Sequence, residues 1–146
     1  MTAQRPPLDL HALRAPLLSM PDGLAVLESA DFGHHEEIVA NLLRAGVIQN
    51  FEFCFELASR RLKRELERET EDREALGAMA WRDMIRLGAE RGLLDEHARR
   101  FNSREMRNIT LHTYDRAKAD RVLAVTRPFG EDARQLLARL EERNSG

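Results

Sequence analysis

The chain has little of what staples or anchors a protein. It holds 1 cysteine in 146 residues, so no intrachain disulfide can form, and Cys54 lies in an apolar helical run where a small core residue is the expected role. Aromatic residues make up 5% of the chain and charged residues 33%, a balance that suits helices with wet outer faces better than a sandwich of strands. Net charge is only -2, which excludes coating nucleic acid by bulk charge, so any RNA contact must be local. Met1–Leu10 contains Arg5, Pro6 and Pro7 but no apolar run fit for a signal peptide, and no segment approaches a membrane span. A cytoplasmic protein is expected. No stretch of period-two alternation and no glycine-rich phosphate loop occurs.

What is present is helical periodicity, and the length suits one domain with a core of its own. The expectation is a single helical domain over 1–146, with a variable, partly irregular segment over 1–22 and the bundle core over 34–143. Leu10, Leu13 and Leu17 keep helical spacing, but Pro16 and Pro21-Asp22-Gly23 predict a short broken helix and a second piece from about Gly23 to Ala30. The longest element spans about His35 to Thr70, where Ile48, Phe51, Phe55, Ala58, Leu62 and Leu66 step by three and four. Phe53 and Leu57 fall off that stripe, which leaves two readings open: a second buried contact such as a dimer seam, or a broad bundle interior. Glu69 to Glu74 reads as a polar loop. Trp81, Met84, Ile85 and Gly88 mark a third helix, and Gly92-Leu93 resembles a glycine stop with its hydrophobic clasp. Asp95 is placed to cap a short turn through Arg100. Asn102 through Glu105 reads as an N-cap with its acid at the third helical position, opening a fourth helix from Ser103 to about Thr126 that stops before Pro128. A last amphipathic helix carries Phe129, Ala133, Leu136, Leu137 and Leu140. The fold class is therefore all-α, an up-and-down bundle of four or five helices.

Chemistry concentrates in Arg107-Asn108-Ile109-Thr110-Leu111-His112-Thr113-Tyr114. Arg99, Arg100, Arg104 and Arg107 crowd this stretch against one acid, Glu105. Guanidinium gives planar contacts to phosphate oxygens, and imidazole changes protonation near neutral pH, so the two can hold a phosphodiester and move a proton beside it. Arg104, Asn108, His112 and Asp115 share one helical face, whereas Arg107 and His112 stand about 140° apart. Either the long arginine curls across, or two copies of the helix complete each site in trans, as in a symmetric dimer. Judged by residue type alone, an arginine and a histidine on a wet face are more often decoration or an ion pair.

Other groups were weighed with it. His34-His35 point about 100° apart on a helix and have no third ligand at metal spacing, so no metal is expected. Glu52 and Glu56 could act as an acid–base pair, but pairing of one with Arg60 at i+4 is the simpler reading. Arg60, Arg61, Lys63 and Arg64 form either a solvated face or a surface for RNA or an acidic partner.

The run from Val47 to Ala58, followed by Leu62-Lys63, resembles the signature helix of the nucleotidyltransferase substrate-binding family, HepT-like in the broad sense. Trp81 to Arg86, Gly92 to Asp95, and Arg107 to Asp115 continue the likeness in order across roughly residues 38 to 130. The resemblance implies a HEPN-type helical bundle, usually a homodimer, working beside a minimal nucleotidyltransferase. It implies that Arg107 and His112 form the Arg-x4-His ribonuclease motif with Asn108 as polar helper, and that Tyr114 is the residue the partner modifies with AMP. Arg100 and Arg104 are then expected to contact RNA. No cofactor is implied. The family often has Trp and Lys at Ser59 and Arg60 and Trp at Arg100, so this branch trades aromatic surface for positive charge. The resulting expectation is the toxin half of a toxin–antitoxin pair with metal-independent ribonuclease activity. The alternatives are a non-catalytic adaptor that binds nucleotide or positions substrate for its partner, and a plain helical interaction module.

Overall fold

The computed structural model describes residues 8–29, 36–95 and 115–145. Five helices occur among them: α1 (His11–Ser29), α2 (Glu36–Glu69), α3 (Arg73–Gly77), α4 (Trp81–Glu90) and α5 (Arg116–Asn144). The fold is an all-α bundle. No helix among the described residues is long and apolar enough to cross a membrane.

The bundle is organised by α2, whose expected core residues Ile48, Phe51, Phe55, Ala58, Leu62 and Leu66 are all buried. Helix α5 runs parallel to it. Arg44 meets Asp120 near one end, Phe51 meets Phe129 in the middle, and Glu65 meets Asn144 at the other. Helix α1 runs antiparallel to α5, tied by Arg14–Glu141 at one end and Glu28–Arg127 at the other. Phe51, Phe55 and Phe129 form an aromatic knot with ring centroids 5.0–6.0 Å apart, and Trp81 joins it 5.5 Å from Phe55. Cys54 is fully buried beside this knot, and burial pushes its thiol up to about 11, so it is a core residue and not a nucleophile.

Two prolines expected to break the N-terminal helix do not. Pro16 and Pro21 both lie inside the continuous α1. A proline keeps helical φ but removes one hydrogen bond and crowds the preceding turn, at a cost of about 3 kcal/mol. Against the two stands a face of Leu13, Leu17, Met20 and Leu24, all buried, each contributing roughly 1.5–3 kcal/mol. Burial holds the helix together, and the core accordingly reaches back to Leu10. The same conflict resolves the same way at Pro128, which lies inside α5 and does not stop it. Val122, Thr126, Phe129, Ala133, Leu136 and Leu140 carry one buried face straight past the ring.

One local signal fell short of the mark and one was right. The loop expected over Glu69 to Glu74 is only three residues long. Asp72 accepts from the Ala75 amide at 3.0 Å and starts the one-turn α3, which delivers Leu76 to the core. The glycine stop after α4 is present: the Leu93 amide donates to Gly88 O at 2.9 Å and the Gly92 amide to Ala89 O at 3.1 Å, with Leu93 fully buried. Gly92 has φ 77°, and a Cβ there would meet nothing closer than Arg143 Nη2 at 3.5 Å. Backbone conformation, not crowding, demands the glycine. Gly92→Ala is expected to cost about 1–2 kcal/mol and Gly92→Asn less, read as a fall in the midpoint of thermal or urea unfolding.

Candidate functional site

Helix α5 begins at Asp115, whose backbone is extended at φ -83°, ψ 113°. Its Oδ1 accepts from the amides of Ala117 (3.0 Å) and Lys118 (3.4 Å), and its carbonyl from Ala119 N at 2.9 Å. Asp115 is therefore an N-cap. The helix expected from Ser103 to Thr126 does not run through this point, and Asp115 cannot share a helical face with the residues before it by spacing alone. Asp is among the strongest capping residues, so the signal was present in the sequence but was absorbed into a longer helix.

Arg100, Arg104, Arg107, Asn108, His112 and Tyr114 lie outside the described residues, as do His34, His35 and residues 96–100 of the turn that Asp95 is expected to cap. The structure does describe what adjoins Tyr114 in the chain. The first turns of α5 carry Arg116, Lys118 and Arg121, and α2 adds Arg44, against the acids Asp115 and Asp120. Asp120 Oδ1 lies 3.5 Å from Arg116 Nε and 4.0 Å from Arg44 Nε. The Arg44 side chain is 13% exposed, and its Nη1 donates to Asn41 Oδ1 at 2.7 Å. The start of α5 together with Arg44 thus holds four cations against Asp115 and Asp120, while Glu36 and Glu37 open α2 at the same end of the bundle. Reading the sequence for a motif missed this grouping, because these cations come from the residues after the motif and from a second helix.

The opposite end of α5 holds the other flank. Arg139 Nη2 bonds Asp95 Oδ1 at 2.9 Å. Arg143 pairs with Glu69 at 2.5 Å and donates to the carbonyl of Arg91, the residue that closes α4. Next to it Glu65, 2% exposed, is bonded by Arg68 at 2.7 Å and by Asn144 Nδ2 at 3.4 Å, while Asn144 Oδ1 accepts from the Leu8 amide at 3.0 Å. Asp95 and Asp115 therefore stand at opposite ends of one helix.

The remaining sequence candidates are resolved case by case. Glu56 pairs with Arg60 at 2.5 Å, the i+4 pairing expected. Arg64 is exposed and Arg61 and Lys63 are half-buried on the same helix. Ser59 donates to Phe55 O at 2.6 Å and borders a void of about 40 Å³ walled by Phe55, Trp81, Ile85 and Phe129. Leu57 is half-buried against the core, whereas Phe53 is 49% exposed. Among the described residues no three metal-ligating side chains converge.

Comparison with known proteins gives consistent results. Residues 15–142 match the model of a family described as nucleotidyltransferase substrate binding protein like. A Haemophilus influenzae protein named "Probable ribonuclease HepT" is 34% identical over 138 residues, which cover 94% of each chain. A solved Haemophilus influenzae structure, described as revealing the fold of a substrate-binding domain of a nucleotidyltransferase, superposes with a TM-score of 0.81 at 32% identity, covering 91% of this chain and 99% of the other.

Proposed function

From the premise that this chain belongs to the nucleotidyltransferase substrate-binding-protein-like family, we propose that it is a HepT-like ribonuclease, the toxin partner of a minimal nucleotidyltransferase. The likeness to the protein named for ribonuclease activity, spanning 94% of both chains, carries this reading. The Arg107–His112–Tyr114 spacing, with Arg116, Lys118 and Arg121 following it at the start of α5, supports it.

In the proposed reaction His112 takes the proton of an RNA 2′-hydroxyl. The oxygen attacks the adjacent phosphorus, the P–O5′ bond breaks, and the 5′-oxygen leaves with the proton that the His112 imidazolium gives back. Arg107 holds the non-bridging oxygens, where negative charge grows on the phosphorane, and Asn108 supports them with its amide. Arg100 and Arg104 carry the RNA strand. Imidazole and guanidinium supply both proton transfer and charge, so no metal is assigned a step. In this reading two copies form the working unit, each lending the other the group that its own helix, with Arg107 and His112 about 140° apart, does not bring together. The partner nucleotidyltransferase would silence the site through Tyr114: the phenol oxygen bonds the α-phosphorus of ATP and pyrophosphate leaves. The added phosphate then occupies Arg107 and repels RNA.

A second reading has support of its own in the neighbouring structure's description as a nucleotidyltransferase substrate-binding domain. In that reading the chain is a non-catalytic adaptor. The test is direct. Purified protein should cut RNA in EDTA, and coexpression with a minimal nucleotidyltransferase should add one adenylate, located on Tyr114 by peptide mass spectrometry. A tight complex with the nucleotidyltransferase and no cleavage of any RNA would establish the adaptor instead.

A further inference from the structure

We infer that the cleft between α1 and α5 binds a small aromatic acid, one ring carrying a carboxylate or a phosphate. This site is separate from the one in the proposed function and is built from described residues alone. Two ion pairs tie α1 to α5: Arg14 with Glu141, and Glu28 with Arg127. Pro21 lies midway between Arg14 and Glu28 on α1, and Arg134 midway between Arg127 and Glu141 on α5. Antiparallel helices tied at both ends therefore bring Pro21 level with Arg134. The middle rung of this ladder has an arginine and no acid. A proline ring stands where the carboxylate would be, and among the described residues Arg134 makes no ion pair or hydrogen bond, not even with Glu131 one turn before it.

At this rung the two helices enclose a cleft of about 220 Å³. Its floor is Met20, Leu24 and Gly130, all buried, and Arg127 and Arg134 stand at its rim. Gly130 adds no side chain to the space, and a Cβ there would lie 3.0 Å from Met20 Cε. The volume sets the size of the occupant. A cavity of about 150 Å³ holds a benzene, and drug-sized ligands need about 300 Å³ or more, so this cleft admits one ring and its head group.

Polarity decides which end the acid takes. Thr126, on the floor, already donates its proton to Val122 O at 2.8 Å and has none left for an anion. Arg127 is engaged by both oxygens of Glu28, at 2.7 and 2.8 Å. Arg134 is the cation left over, and its planar guanidinium matches a carboxylate or a phosphate. The apolar floor takes the ring, where the Met20 thioether makes a favourable contact with an aromatic. Glu131, exposed at the rim, repels the acid and lowers its affinity.

The test is a titration of the full chain with benzoate and with phenyl phosphate, followed by NMR of isotope-labelled methionine methyl groups. Ring current from either ligand should shift the Met20 signal and leave that of Met84, buried in α4, unmoved. Binding of either supports the site, and the tighter of the two identifies the head group. Arg134→Ala, at an exposed position, should weaken binding roughly tenfold or more, and Glu131→Gln should strengthen it. Pro21→Glu supplies the missing acid and should abolish binding. A Met20 signal that stays still, benzyl alcohol or acetate acting as strongly as benzoate, or an affinity unchanged by Arg134→Ala or Pro21→Glu overturns the site. None of these outcomes bears on RNA cleavage, which the assay in EDTA reads by itself.

Discussion

His112→Ala is expected to abolish RNA cleavage in EDTA while leaving the helical spectrum and melting temperature unchanged. A positioned general base contributes typically 10²–10⁴-fold, so residual activity should fall by at least about a hundredfold. Arg107→Ala should act as strongly, because it removes charge stabilisation where the phosphorane forms, and Arg107→Lys should restore only part of it, since an ammonium gives no planar, bidentate contact. Mixing the two inactive proteins gives the sharpest result. If each site draws its arginine and its histidine from different subunits, heterodimers of His112→Ala and Arg107→Ala contain one intact pair and regain activity. If both come from one chain, no mixture recovers. Single-turnover cleavage of a labelled RNA measures all four cases. Undiminished activity in His112→Ala would remove the catalytic assignment.

Phe51→Ala should produce the largest loss of stability. Phe51 is 1% exposed, packs edge-on against Phe129 with centroids 5.0 Å apart, and touches Phe55 at 6.0 Å. It joins the two longest helices, α2 and α5, at mid-height. Truncating such a ring costs about 3–5 kcal/mol from lost transfer energy and the cavity left behind. For a domain of this size that corresponds to a drop on the order of 10 °C in Tm, and it is a large part of the roughly 5–15 kcal/mol that holds a domain folded. Calorimetry or urea unfolding followed by circular dichroism measures it. By contrast Phe53→Ala, two residues along but 49% exposed, should leave monomer stability within about 0.5 kcal/mol.

The contrast between Phe51 and Phe53 shows what the sequence made legible. Periodicity over thirty residues placed α2 within one residue of its observed limits and sorted its inner face from its outer one. The glycine stop was legible too, because left-handed φ at Gly92 is a strictly local demand. The prolines misled for the opposite reason. Pro16, Pro21 and Pro128 are strong local breakers, but each lies between buried residues whose contacts are supplied by other helices, and no local window contains those contacts. Asp115 was misjudged because a capping side chain and a mid-helix acid look alike until the backbone is seen. As for the candidate site, Arg107 to Tyr114 rest on the sequence alone, outside the described residues. The supporting cations were not, because Arg44 reaches Asp120 from seventy-six residues away.

Helix α5 behaves as a ruler. It fixes Asp115 at one end through its cap and Asp95 near the other through Arg139. With a rise of about 1.5 Å per residue, the separation of those two anchor points is set by counting residues from 116 to 139. Inserting or deleting one residue there alters the span and also twists one anchor about 100° relative to the other. Length variation in this protein should therefore be tolerated in the turn before Asp72 and refused inside α5, even at solvent-facing positions with no chemistry of their own.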